Sequence, residues 1–202
     1  MRLRHALAHV RYGGADLGEC LFAARRAGRD RGSWYSSWHE LAKRIHDRAE
    51  RRLRAARHLS GRGDLLRAST YYRMAELALP PSHITHEPVS FRASRECFRR
   101  ALNHLDRPAH AVEIPFEGES LPGYLFIGQP DPGPTLVVIT GMDGTAEEGY
   151  FLTGAAALAH GYHCLVFEGP GQGAPLRERR LPLRPGWESV VSPVLDFLVA
   201  RP

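Results

Sequence analysis

Cysteine is scarce in this chain: three among 202 residues, at Cys20, Cys97 and Cys164. They lie far apart, form no C-x-x-C pair and are odd in number, which argues against a disulfide framework or a zinc site. A reducing cytoplasm suits that usage, with all three as small packed hydrophobes. Lysine is scarcer still, and Lys43 stands alone. No apolar run approaches the roughly 18 residues that a membrane helix needs. The N-terminus, "MRLRHALAHVRYGG", is basic, but its apolar part is short and broken by His5 and His9, so it makes a poor signal peptide. The lack of any acidic residue before Asp16 fits an organellar transit segment; the plainer reading is a frayed, Arg-rich start. Neither an internal repeat nor a low-complexity segment is present, so a solenoid is not indicated.

The basic surplus is unevenly spread. Residues 1–110 hold 22 Arg/Lys against 11 Asp/Glu, while residues 111–202 hold 5 against 11, and the whole chain carries +5. A basic first half raises nucleic acid or an anionic membrane as partners. Its arginines, however, are interleaved with acids along helical faces, as in "HELAKRIHDRAERRLRAARH", which reads as a solvated surface. Neither nucleic acid nor membrane is expected as a partner.

Two regions differ in period. Ser33 is placed to cap a helix from Trp34 to about Arg57, with Trp34, Trp38, Leu41, Ile45, Ala49 and Leu53 forming one stripe. Asp64 is placed to cap another, Leu65 to Leu79, ended by Pro80-Pro81, which cannot donate the next backbone bonds. A third spans Phe91 to Leu105, and an earlier one Asp16 to Arg26, stopped at Gly28. Near Pro108 the period shortens. Val112, Ile114 and Phe116 alternate with polar positions and Pro115, as on a half-buried edge strand. Gly118–Ser120 turns the chain, and Tyr124–Ile127 returns antiparallel. "TLVVIT" (Thr135–Thr140) and "HCLVFEG" (His163–Gly169) read as strands covered on both faces. Thr145 and Glu148 have capping-box spacing at the head of a helix running to about His160, with Gly161 as its stop. A last helix covers Trp187–Ala200 and bends at Pro193. Strand, helix, strand, helix implies parallel pairing. The fold class is therefore α/β, an antiparallel hairpin plus parallel strands, preceded by an all-helical region.

Three candidate sites carry chemistry. His83-x-x-His86 could pair two imidazoles, but it falls in a loop with no third ligand nearby, so no metal is expected. Gly169-Pro170-Gly171-Gln172-Gly173 lacks the Lys-Ser/Thr of a phosphate loop and the order of a dinucleotide fingerprint, and reads as a tight turn; no cofactor is called for. The third is "VVITGMDGTAEEGYF" (Val137–Phe151). A strand ending in a glycine turn at a helix start is where α/β enzymes put donors for a developing negative charge. Such a loop needs a nucleophile. Gly-x-Ser-x-Gly is absent. Gly118-Glu119-Ser120-Leu121-Pro122 comes nearest but sits in a hairpin turn, and Ser33, Ser60 and Ser94 lie in or beside helices.

Several blocks occur together and in order: "YGGADLGE", "SWYSSWHELAKRI", "LLRASTYYRMAELAL", "LPGYLF", "GMDGTAEEGYF" and "FEGPGQGAPLRERRLPLRPGWESVVSPVLDFLVARP". With them the chain resembles, over nearly its whole length, the cap-bearing α/β hydrolases that include FrsA-like esterases, 2,6-dihydroxypseudooxynicotine hydrolase and fungal heptaketide-shortening hydrolases. The resemblance implies that residues 1–108 are a helical N-terminal cap and residues 109–202 the first half of a hydrolase core. It implies cleavage of esters or of carbon–carbon bonds next to a carbonyl, by a Ser-Asp-His triad without a cofactor. On that mapping Gly141 and the N–H of Met142 belong to the oxyanion hole. Relatives often carry Phe or Leu in place of Met142, and Asp in place of Glu168.

The same mapping puts the fifth strand, the nucleophile elbow, the acid and the histidine beyond Pro202. The chain is thus expected to behave as an N-terminal fragment, inactive alone, with Thr135–Thr140 left as an apolar edge that invites strand addition. Its expected partners are a small acyl or ketone substrate in the complete protein, and a second copy or a strand-completing chain. The alternative is a non-catalytic small-molecule or protein-binding module.

Overall fold

The computed structural model describes residues 2–79, 89–129 and 133–201. It divides into two compact units, Met1–Pro108 and Ala109–Pro202.

The first unit is helical. The basic start is not frayed: α1 covers Arg2–Ala8. Ala6 and His9 are fully buried, and His9 Nδ1 lies 3.2 Å from Thr70 Oγ1. Helix α2 runs Leu17–Arg26, where Asp16 accepts the Glu19 N–H at its head. Helix α3 runs Arg31–Arg54, and its cap is Asp30 rather than Ser33. Asp30 Oδ1 accepts the Ser33 N–H at 2.9 Å, while the Ser33 hydroxyl donates to Asp30 Oδ2 at 2.7 Å. An ionised carboxylate one turn upstream outcompetes a hydroxyl for the first free N–H groups, because it also complements the helix dipole. Trp38, Leu41, Ile45 and Ala49 are buried along the expected stripe.

Helix α4 covers His58–Glu76, so it begins six residues before Asp64. Asp64 is no cap. It is fully buried inside the helix and bound by Arg48 (3.0 and 2.9 Å), Arg52 (2.6 Å) and Arg67. A local capping rule cannot see this, because two of the three cations stand on α3. Helix α5 spans Val89–Leu102, and Phe91, Phe98 and Leu102 face inward as the spacing predicts.

The second unit is a four-stranded sheet of order β1-β2-β4-β3. Strands β1 (Ala109–Phe116) and β2 (Glu119–Phe126) form the antiparallel hairpin. The turn is Glu117-Gly118, one residue earlier than the glycine suggests. Both residues have positive φ (47° and 80°), the signature of a two-residue hairpin loop. Pro115 does lie on an edge strand. Strand β3 (Thr135–Ile139) pairs parallel with β4 (His163–Phe167), and β4 pairs antiparallel with β2. All of β4 is buried. Strand β3 is not covered on both faces: it ends the sheet, and Leu136 and Ile139 are 38% and 47% exposed.

Between them the capping box forms as spaced: Thr145 Oγ1 accepts the Glu148 N–H, and Glu148 accepts the Thr145 N–H. The helix is not uniform, since α6 (Ala146–Gly149) passes through a π turn (Tyr150–Gly154) into α7 (Ala155–Ala159). A Cβ on Gly149 would lie 2.5 Å from Val166, so glycine lets this helix rest against the sheet. The turn expected at Gly169–Gly173 forms and leads directly into a short helix, α8 (Gly173–Glu178). Helix α9 (Glu188–Val199) carries Pro193 inside it. Its Val190 and Val194 join Ile114, Phe116, Leu121, Leu165 and Phe167 in the core of this unit.

Candidate functional site

The loop after β3 is a tight turn. Gly144 N–H donates to Gly141 O at 2.9 Å, and Asp143 takes a left-handed φ of 64°, which a short polar residue tolerates. Met142 rides at its crest, 76% exposed. Its N–H has no hydrogen-bond partner among the described residues. A Cβ on Gly141 would meet nothing within 4 Å, so there is open space beside that peptide.

A second loop, Gly169–Gly173 after β4, holds the first in place. Asp143 N–H donates to Gly171 O at 2.9 Å, and Gly173 N–H to Gly144 O at 3.0 Å. Gln172 is 2% exposed. Its Oε1 accepts the Gly169 N–H at 2.9 Å, and its Nε2 donates to Thr140 O and, at 3.4 Å, to Gly141 O. The buried Glu168 carboxylate takes the N–H of Ala146 on one oxygen and of Ala174 on the other, both at 2.8 Å. It thereby caps α6 and α8 together. A Cβ on Gly173 would sit 2.1 Å from that carboxylate, which explains glycine there. Arg177 closes the arrangement by pairing with Asp143 and donating to Gly173 O at 3.1 Å. Sequence reading found the two loops but not their union. The signal was the Gly-Pro-Gly-Gln-Gly turn itself, whose hydrogen-bonding residue is its only non-glycine, non-proline member.

No nucleophile stands beside this loop in the sequence context that an elbow requires. Ser120 Oγ donates to Glu113 at 2.6 Å, within the hairpin. One serine–histidine contact lies in the helical unit, with Ser90 Oγ 3.0 Å from His39 Nδ1. Ser90 Oγ also donates to Tyr35 OH at 3.1 Å, so the histidine is not its sole partner. Burial, then Lys43, lowers the His39 pKa. The three cysteines are buried and free, and desolvation pushes each thiol up to about 12. None is a thiolate nucleophile near neutrality. Among the described residues no cluster of three or more His, Cys, Asp or Glu could hold a metal ion. His83 and His86 lie outside those residues. No helix among the described residues is long and apolar enough to cross a membrane.

No protein-family model matches the chain. Curated relatives do. The alpha/beta hydrolase xenA of Xenoacremonium sinensis is 36% identical over 203 residues, covering 97% of this chain and 48% of its own length. The alpha/beta hydrolase psoB of Aspergillus fumigatus is 39% identical over 204 residues, covering 95% of this chain and 46% of its own. The chain thus spans about half the length of these relatives. Among solved structures, the 2,6-dihydroxy-pseudo-oxynicotine hydrolase superposes with a TM-score of 0.81 at 23% identity, over 96% of this chain and 54% of that one. That likeness shows the fold. With curated relatives matched at 36% and 39% identity over 97% and 95% of the chain, the chain belongs to the α/β-hydrolase superfamily.

Proposed function

We propose that this chain is the oxyanion-loop-bearing part of a serine-type hydrolase acting on esters or on carbon–carbon bonds adjacent to a carbonyl, and that it is inactive alone. The observation that carries the reading is Met142: a backbone N–H at a strand end with no partner among the described residues, in a loop bonded on its far side to Gly169–Gly173. In such an enzyme a serine attacks the carbonyl carbon as a histidine takes its proton, and the carbonyl oxygen becomes an oxyanion. One donor to it is the N–H after the serine; the other is the N–H of Met142. A backbone donor tolerates methionine where relatives carry other residues. Residues 1–108 serve as the helical cap domain, the substrate is a small acyl or ketone compound, and buried thiols suit a reducing cytoplasm. Neither cofactor nor nucleic acid is required.

The test is turnover of an activated acyl ester by the purified 202-residue chain. The expected rate equals that of a heat-denatured control. Hydrolysis that a serine-directed phosphonate abolishes would refute inactivity and place a nucleophile within these residues.

A second reading, a non-catalytic binding module, draws on one recess of the helical unit. Phe22, Arg26, Ser37, Glu40, Leu41 and Arg44 line about 190 Å³, with the Arg26 and Arg44 guanidiniums 5.5 and 5.4 Å from the Phe22 ring centre. Light scattering separates the readings: a defined complex with another chain favours a module, and a chain that forms none favours part of an enzyme.

A further inference from the structure

We infer that Gln172 is a positioning residue: its side-chain amide aims the Met142 N–H. The argument is geometric. The Gly141 carbonyl and the Met142 N–H belong to one planar trans peptide, so they point in opposite directions. Whatever holds the Gly141 oxygen therefore sets the direction of the Met142 hydrogen. Two donors hold it, the Gly144 N–H at 2.9 Å from within the turn and Gln172 Nε2 at 3.4 Å from outside it. Gln172 Nε2 also donates to Thr140 O, so one amide grips two successive peptide planes.

The amide itself has little freedom. It is 2% exposed, and the Gly169 N–H at 2.9 Å forces oxygen onto one end, leaving nitrogen for the carbonyls. Glutamate, of the same size, would turn an acceptor toward two acceptors. A polarised carbonyl also makes the N–H of its own peptide a better donor, since chained hydrogen bonds reinforce one another. Gln172 thus sharpens both the direction and the strength of the donor. It touches no reacting atom and acts through the peptide alone.

This inference rests on Met142 as the oxyanion donor, but its test does not, because the direction of an N–H bond can be read without any turnover. Residual dipolar couplings are measured on the 202-residue chain, on Gln172→Glu and on Gln172→Met. In both variants the Met142 N–H coupling is expected to change or to broaden, while couplings in β4 and α9 stay as in the parent. An unchanged Met142 coupling in either folded variant overturns the inference. The parent chain gives a measurement that needs no variant: a scalar coupling across the hydrogen bond from Gln172 Nε2 to the Thr140 carbonyl carbon. Its detection supports the grip, and its absence, with the Gln172 amide resonances resolved, overturns it. A complete relative that keeps its activity when proline removes the N–H of Met142's counterpart would sink the oxyanion reading while leaving the couplings as they are.

Discussion

Single acidic residues do distinct jobs in this chain, and their surroundings decide which. Asp30 is solvent-facing; the Ser33 backbone N–H and then the Ser33 hydroxyl hold its carboxyl below the usual range. Because the folded pKa lies below the unfolded value of about 3.9, the stabilisation is present above that value. It is lost as the pH falls through the folded pKa. Asp30→Asn keeps a capping oxygen but cannot titrate. Thermal melts from about pH 2 to pH 7 should show a shallower acid-side loss for the variant and a near-parental midpoint at neutrality. A parental acid limb would show that Asp30 contributes nothing there. Glu168, by contrast, spends both oxygens on backbone N–H groups of two helices, and Glu117 holds a left-handed φ while Arg184 binds it at 2.7 and 2.8 Å.

At the scale of elements, the α3–α4 pair is joined through Asp64. Its carboxylate is fully buried, whereas Arg48, Arg52 and Arg67 keep 33%, 35% and 23% of their side chains exposed. Asp64→Ala leaves three gathered cations without their common partner. Breaking such a buried pair from one side costs about 3–5 kcal/mol, and the arginines' access to water sets the lower end. Urea unfolding followed by circular dichroism checks this, with a lowered midpoint expected and an unchanged midpoint refuting it. The helices themselves were readable from their stripes, because a period near four survives any context. Their ends were less so. The Asp64 assignment failed because a cap and a buried ion-pair acceptor use the same residue type, and only the neighbours across space separate them; the Ser33 assignment failed because Asp30, three residues upstream, is the stronger cap. The hairpin, the capping box at Thr145 and Glu148, and the two apolar strands were legible because each is a local rule written in adjacent residues. The π turn and α8 have no such local mark. The loop after β3 could be located from its glycines and its likeness to relatives, but the hold on it could not, since Gln172 reaches back about thirty residues to Thr140 and Gly141.

At the scale of the molecule, the sheet has one edge closed by Pro115 on β1 and another open on β3. Leu136 and Ile139 on that strand, with Leu195 and Val199 on α9, are large apolar side chains in contact with water. Unpaired edges of this kind recruit other strands. A lysine there repels a second copy, so Ile139→Lys should raise the monomer fraction in size-exclusion light scattering while leaving the melting point near the parent's. An unchanged distribution would locate self-association elsewhere.

The sequence by itself determined the α/β class, the change of period near Pro108, the two glycine loops and the absence of an elbow serine. Each is a matter of residue type and short spacing, and survives without coordinates. Only the tertiary structure decided that Asp64 is an ion-pair centre, that β3 stands uncovered, and that Gln172, Glu168 and Arg177 bind one loop to the other. Those outcomes depend on which donors meet which acceptors across gaps of several to more than thirty residues, and pairing at that range is set by the fold rather than by neighbours along the chain.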